Sequence, residues 1–170
     1  MKSSFCLLLI VSFFILSACG GRPTVEQRLA QAEKHRQSRQ WRRAVDIYES
    51  LLREQGDRSH GPRIRYDLAM TYVHAGTDTG VPAAFGRAVH HWRRLVEETP
   101  DHPRVTNARF MIAYCYANHL KEYERAKQAY ETFLKLYPDH ELAASAKWEL
   151  DHLGQDIDDF APATAKPPAP

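Results

Sequence analysis

Between Thr24 and Gly154 the sequence predicts an all-α stack of helix pairs, about three pairs closed by a C-terminal capping helix. Three observations predict it. Apolar residues recur at three- and four-residue steps along this stretch, while Gly and Pro are confined mostly to joints. Three segments share one spacing of four, then three, then five residues: Ala44…Tyr48…Leu51…Gly56, Ala88…Trp92…Leu95…Pro100 and Ala126…Tyr130…Phe133…Pro138. The second and third segments are followed by the same dipeptide, Asp101-His102 and Asp139-His140.

The elements follow in order. The first pair opens near Val25 and carries Ala32 and His35, then turns into the helix of Ala44, Tyr48 and Leu51. A four-then-three step places those three side chains on one stripe, where alanine lets a neighbouring helix approach and the aromatic fills the space below. The second pair has Ala69 and Tyr72, then Ala88, Trp92 and Leu95. The repeat alanines Ala44, Ala88 and Ala126 stand 44 and then 38 residues apart, and Gly76 to Gly86, with Gly80-Val81-Pro82 inside it, reads as the loop that takes most of the excess in the first interval. The third pair has Ala113 and Tyr116, then Ala126, Tyr130 and Phe133, with one residue of slack in its register before Tyr123. Asp101 and Asp139 are suited to N-cap the helices after the prolines. Leu142-Ala143…Ala146…Trp148…Leu150…Leu153 makes the capping helix that covers the last apolar face of a stacked array. Residues 155–170 are acidic and then Pro/Ala-rich, and predict a disordered tail.

These residue types and spacings resemble the tetratricopeptide repeat, over about Val25 to Gly154. The resemblance implies a right-handed α-solenoid in which the first helix of each pair lines a concave groove that takes peptide partners. Carried over by register, the groove candidates are Arg63, Tyr66, Met70 and His74 in the second pair, and Asn107, Phe110, Tyr114 and Asn118 in the third. Aromatics and a methionine beside hydrogen-bonding neighbours suit peptide recognition, although Tyr66 and Phe110 read equally well as core. Trp41, Trp92 and Trp148 fall on second or capping helices and read as packing residues.

Residues 1–18 have the composition of a secretory leader. Lys2 forms a basic n-region, Phe5 to Leu16 an apolar h-region, and Ser17-Ala18 a small-residue approach to Cys19. Leu16-Ser17-Ala18-Cys19 resembles the lipobox of bacterial lipoproteins, which implies cleavage before Cys19 and attachment of lipid, palmitate included, to its thiol. Residues 19–23 then form an anchored linker ahead of the 24–154 repeat domain. The other readings are an uncleaved membrane helix, for which an apolar run of about 14 residues is short against the ~20 of a span, and ordinary cleavage that leaves Cys19 free. Gly20, in place of an aspartate, resembles an outer-membrane address of Gram-negative lipoproteins, with the domain facing the periplasm; a Gram-positive source would place it on the outer face of the plasma membrane.

Charge is uneven: Arg22 to Arg65 holds 11 Lys and Arg against 6 Asp and Glu, whereas Asp139 to Phe160 holds 1 against 7. Cys6 departs with the leader, and Cys115, inside an apolar run, reads as a buried structural thiol. Nine histidines include no His-Glu-x-x-His, and His90-His91 are adjacent and so point in different directions on a helix. There is no phosphate-binding glycine loop, nucleophile elbow or thiol dyad.

The expectation is therefore a non-catalytic, lipid-anchored scaffold in envelope biogenesis. It would use protein partners and the membrane, with no cofactor, nucleic acid or small-molecule substrate. The Tyr-Pro-Asp-His joint resembles that of the lipoprotein subunit of the outer-membrane β-barrel assembly machine, and of the Tol-associated coordinator of cell division. An accessory subunit of a cell-envelope enzyme and a pilus-secretin pilotin are the alternatives.

Overall fold

The computed structural model describes residues 22–54 and 59–155. The expected leader, Cys19, Gly56 and the expected disordered tail from Asp156 onward lie outside the described residues. Among the described residues seven α-helices follow one another: α1 (Val25–Gln37), α2 (Trp41–Glu54), α3 (Gly61–Thr79), α4 (Pro82–Glu98), α5 (Val105–Tyr114), α6 (Tyr123–Leu136) and α7 (Ala143–Asp151). A π-helical segment, Cys115–His119, continues α5. Each helix packs on the next one in the chain, from α1 against α2 to α6 against α7, which is the nearest-neighbour order of a solenoid. Three pairs and a cap are thus observed, and no helix of the described residues is long and apolar enough to cross a membrane.

The stripe spacing maps directly onto burial. Ala44, Tyr48 and Leu51 are buried on α2, Ala88, Trp92 and Leu95 on α4, and Ala126, Tyr130 and Phe133 on α6. The alanines of the first helices, Ala32, Ala69 and Ala113, have no exposed surface, so the helices meet where nothing larger than a methyl intervenes. Cys115 is wholly buried, and burial pushes its thiol up to about 12, which keeps it protonated and unreactive.

Gly76 to Gly86 is not a loop. Helix α3 runs through to Thr79 and α4 starts at Pro82, leaving only Gly80 and Val81 between them. The extra residues lengthen both helices, which reach 19 and 17 residues. Gly76 is a contact point and not a breaker: a Cβ there would lie 2.8 Å from the Phe85 ring. Gly80 alone does the turning, at φ 69°. Arg39 and Lys121 occupy the same place in the other two pairs, at φ 55° and 56°, so one left-handed residue closes every pair.

The slack residue before Tyr123 is accounted for by the π segment. A π turn carries one residue more than an α turn and so absorbs a single insertion without breaking the helix. Its consequence is visible in an aromatic–histidine stack repeated between pairs. Trp41, the first residue of α2, stacks on His74 at 5.8 Å, and Phe85, near the start of α4, stacks on His119 at 4.0 Å. His74 follows Ala69 by five residues and His119 follows Ala113 by six, and the added π residue restores the alignment.

At the joints it is the histidines, not the aspartates, that bond the backbone ahead of the next helix. The helix that follows starts later than expected, with Arg104 and Leu142 as N-cap residues and no side-chain cap bond from Asp101 or Asp139. The Arg104 N–H donates to His102 Nδ1 at 3.2 Å, and the Leu142 N–H donates to His140 Nδ1 at 3.1 Å. A ring nitrogen that accepts from the backbone must be unprotonated. Burial first, then the Arg104 guanidinium, lowers the His102 pKa in agreement with that role. Trp148 departs from its expected packing role. It is 51% exposed on α7 and lies against His152 at 4.5 Å.

Candidate functional site

The eight groove candidates occupy one stripe on each first helix. Arg63, Tyr66, Met70 and His74 are spaced three, four and four residues along α3, and Asn107, Phe110 and Tyr114 repeat the pattern on α5, with Asn118 in the π segment. The stripe keeps an open side. Arg63, His74 and Asn107 are exposed, while Tyr66, Met70, Phe110, Tyr114 and Asn118 are half-buried. Tyr66 and Phe110 are half-buried and pack against the core cluster.

Tyr66 lies over the buried Trp92 ring, with centroids 6.2 Å apart, and carries the Arg104 guanidinium 4.8 Å above its own ring. Burial raises the pKa of its phenol, so the hydroxyl stays a hydrogen-bonding group at neutral pH. Arg104 also pairs with Asp67 at 3.0 Å, and Asp67 reaches back to Arg63 at 3.6 Å. The second and third pairs are therefore joined at this corner by Arg63, Asp67, Arg104 and Tyr66, and Asn107 sits one turn beyond Arg104 against the Tyr66 hydroxyl. Such a surface combines a flat aromatic with charges whose positions are fixed by each other.

The corner residue that sequence reasoning missed is Arg104. Its signal was available: it stands three residues, one turn, before Asn107, where the expected N-cap aspartate drew attention instead.

Further along, Phe110 and Tyr114 lie nearly parallel with centroids 6.4 Å apart. Phe110 sits edge-on to Tyr130 at 6.0 Å and to Phe133 at 5.8 Å, so α6 sets its angle. Tyr114 meets His119 at 5.7 Å, and burial raises its phenol pKa too. Two candidates are drawn off to the ends. His74 is committed to the stack on Trp41, whose indole N–H donates to Asp78 at 3.0 Å. The Asn118 amide donates to Glu149 of α7 at 3.1 Å, tying the cap to the third pair.

The arrangement offers aromatic faces, a thioether and oriented hydrogen-bonding groups. Among the described residues no group of three His, Cys, Asp or Glu side chains is placed to hold a metal ion.

Residues 107–140 match the family model of the tetratricopeptide repeat. The match begins at Asn107, one of the stripe residues, and ends at His140, the joint histidine, so it spans the third helix pair. No curated protein matches the chain at a significant level. The all-helical stack of pairs and the matched repeat together make this an α-solenoid with a tetratricopeptide-type repeat, a fold that serves protein–protein interaction.

Proposed function

We propose that the chain is a non-catalytic scaffold of the bacterial cell envelope, tethered by lipid at Cys19 to the outer membrane and holding a protein partner on the α3–α5 stripe. One observation carries the binding half of this reading. The first helices of two successive pairs present half-buried side chains in matched register, Tyr66 with Met70 and Phe110 with Tyr114, beside polar groups already oriented by Arg104 and Asp67. Rigid aromatics bind with little entropic loss, because packing has already fixed the rotamer. The envelope half rests on the leader string and on Leu16-Ser17-Ala18-Cys19. Several acyl chains on one thiol-bearing residue would hold the protein firmly without a spanning helix.

Photo-crosslinking in cells from positions 66 and 114 tests the stripe. The expected result is a discrete adduct at both positions that fades when Arg63 and Asn107 are replaced by alanine. Adducts from Trp148 but from neither stripe position would move the binding surface to the cap. For the anchor, Cys19→Ala is expected to abolish metabolic labelling with a palmitate analogue and to release the protein from the membrane fraction. Labelling that persists in the variant would remove the lipoprotein reading while leaving the stripe untouched.

A further inference from the structure

The opposite side of α5 carries a second concavity. Arg109, Ile112 and Tyr116 run along the helix at three- and four-residue steps, on the face turned away from Asn107, Phe110 and Tyr114. They line a groove between α4 and α6 made of two adjoining lobes of about 670 Å³ and 370 Å³ that share Arg93, Tyr116 and Arg125, with Arg109 and Ile112 in the smaller lobe alone. Small residues, Ala83 and Gly86 on one wall and Ala129 on the other, keep it open.

Four guanidiniums face this groove. Three are matched by carboxylates: Arg93 with Glu97 at 3.7 Å, Arg94 with Glu98, and Arg125 with Glu122 at 2.7 Å. Glu97 and Glu122 themselves line the groove. Arg109, in the smaller lobe, differs from the other three. It makes no ion pair among the described residues, and its Nε is buried without a hydrogen-bond acceptor. A buried, unpaired guanidinium N–H is a standing cost to the fold, and packing alone would be served as well by methionine.

We propose that the α4–α6 groove is a second docking site, one that takes an acidic peptide segment of a protein partner and pairs one of its carboxylates with Arg109. A guanidinium donates two parallel N–H···O bonds to a carboxylate, and on the half-buried Arg109 the Nη groups are the donors a peptide can reach, while the Nε–H has no accessible surface. Arg125 lies 5.8 Å from the Tyr116 ring, so an ion-paired guanidinium stands over an aromatic patch, and acidic residues that exchange for Glu97 and Glu122, interleaved with apolar ones, match it. The groove runs along α4 from Ala83 to Glu97, about 20 Å at the helical rise, or about six residues of extended chain. A planar bilayer meets only the rim, whereas a peptide strand reaches the floor.

The test uses the purified full chain and a fluorescein-labelled hexapeptide, Glu-Leu-Glu-Glu-Leu-Glu, followed by fluorescence anisotropy. The expected result is saturable binding that weakens with salt, is absent for the glutamine counterpart of the peptide, and falls at least tenfold in Arg109→Met. The same variant should keep or raise its thermal midpoint, since it removes a buried unpaired donor. A sharp fall in the midpoint would show a structural arginine and overturn the proposal, as would unchanged affinity or equal binding of the glutamine peptide.

Arg93→Gln with Arg125→Gln is a second variant on exposed side chains. It should weaken the peptide without touching the fold, and full affinity in it would also overturn the proposal. Tyr66→Ala should bind the peptide normally, which separates this groove from the α3–α5 stripe. Sedimentation with phosphatidylglycerol vesicles that depends on Arg109, with no peptide binding, would give the groove to a membrane surface and not to a protein. Peptide binding seen only in a chain ending at Gln155 would assign it to the chain's own Asp156–Asp159 run.

Discussion

Trp92→Ala is expected to lower the unfolding free energy by about 3–5 kcal/mol, read as a fall in the urea midpoint. Trp92 has no exposed surface and sits on the buried stripe of α4, between Ala88 and Leu95. Tyr66 from α3 rests on it, so its removal empties the layer between the first and second helices of the middle pair. In a stack each pair touches only its neighbours, and a void in the middle pair separates the ends from each other. Trp92→Phe should cost much less, about 1–2 kcal/mol. The indole Nε1 is buried without a partner, so phenylalanine gives up area but also removes an unsatisfied donor. Equal costs for the two variants would mean that the indole N–H makes a bond that matters, and the packing account of this stripe would fail.

The legible parts of this fold are those where one residue type has one use. Alanine, then an aromatic, then an apolar residue at four- and three-residue steps can satisfy only a buried helix stripe, and all nine such positions are buried. Residue types with two uses misled. Gly76 has the composition of a breaker but stands mid-helix because the Phe85 ring occupies the space of its missing Cβ. Asp101 and Asp139 are good caps in isolation, yet the helices begin after His102 and His140, whose ring nitrogens accept the N–H groups of the N-cap residues Arg104 and Leu142. The slack residue before Tyr123 was countable, but a π turn and a longer loop absorb one residue equally well, and only the packing of His119 on Phe85 selects the π turn. Arg109 gave no signal at all. A lone arginine two residues after Asn107 acquires meaning only when α4 and α6 rise on either side of it.

The stripe candidates were legible as positions and not as partners. Register alone places Tyr66, Met70, Phe110 and Tyr114 on one side of α3 and α5. It does not reveal that Arg104 would lie 4.8 Å over Tyr66, because that contact joins two helices through a joint whose geometry the histidine sets. For the same reason His74 and Asn118 read as free groove residues, although the first closes the α2–α3 boundary and the second ties down α7.

Phe133→Ala is expected to cost about 3–5 kcal/mol and, in addition, to remove partner capture at Tyr114. Phe133 is fully buried on α6 and is the hub of an aromatic cluster, with Phe110 at 5.8 Å, Tyr137 at 5.3 Å and His140 at 6.0 Å. Deleting its ring leaves a space that Phe110 is placed to fall into, since Phe110 already rests one edge on it. Phe110 would then withdraw from the stripe, and Tyr114, nearly parallel to it, would lose its neighbour. His140 would lose the ring that its own plane meets edge-on, loosening the joint that starts α7. Phe133→Leu separates the two effects: leucine keeps most of the volume, so it should restore most of the stability while leaving Phe110 without its edge-to-face partner. The measurement pairs urea unfolding with crosslinking yield from position 114. Stability restored and crosslinking still reduced would show that α6 orients the proposed binding residues of α5. Both restored together would show that Phe133 supplies bulk alone, and that the angle of Phe110 is set elsewhere.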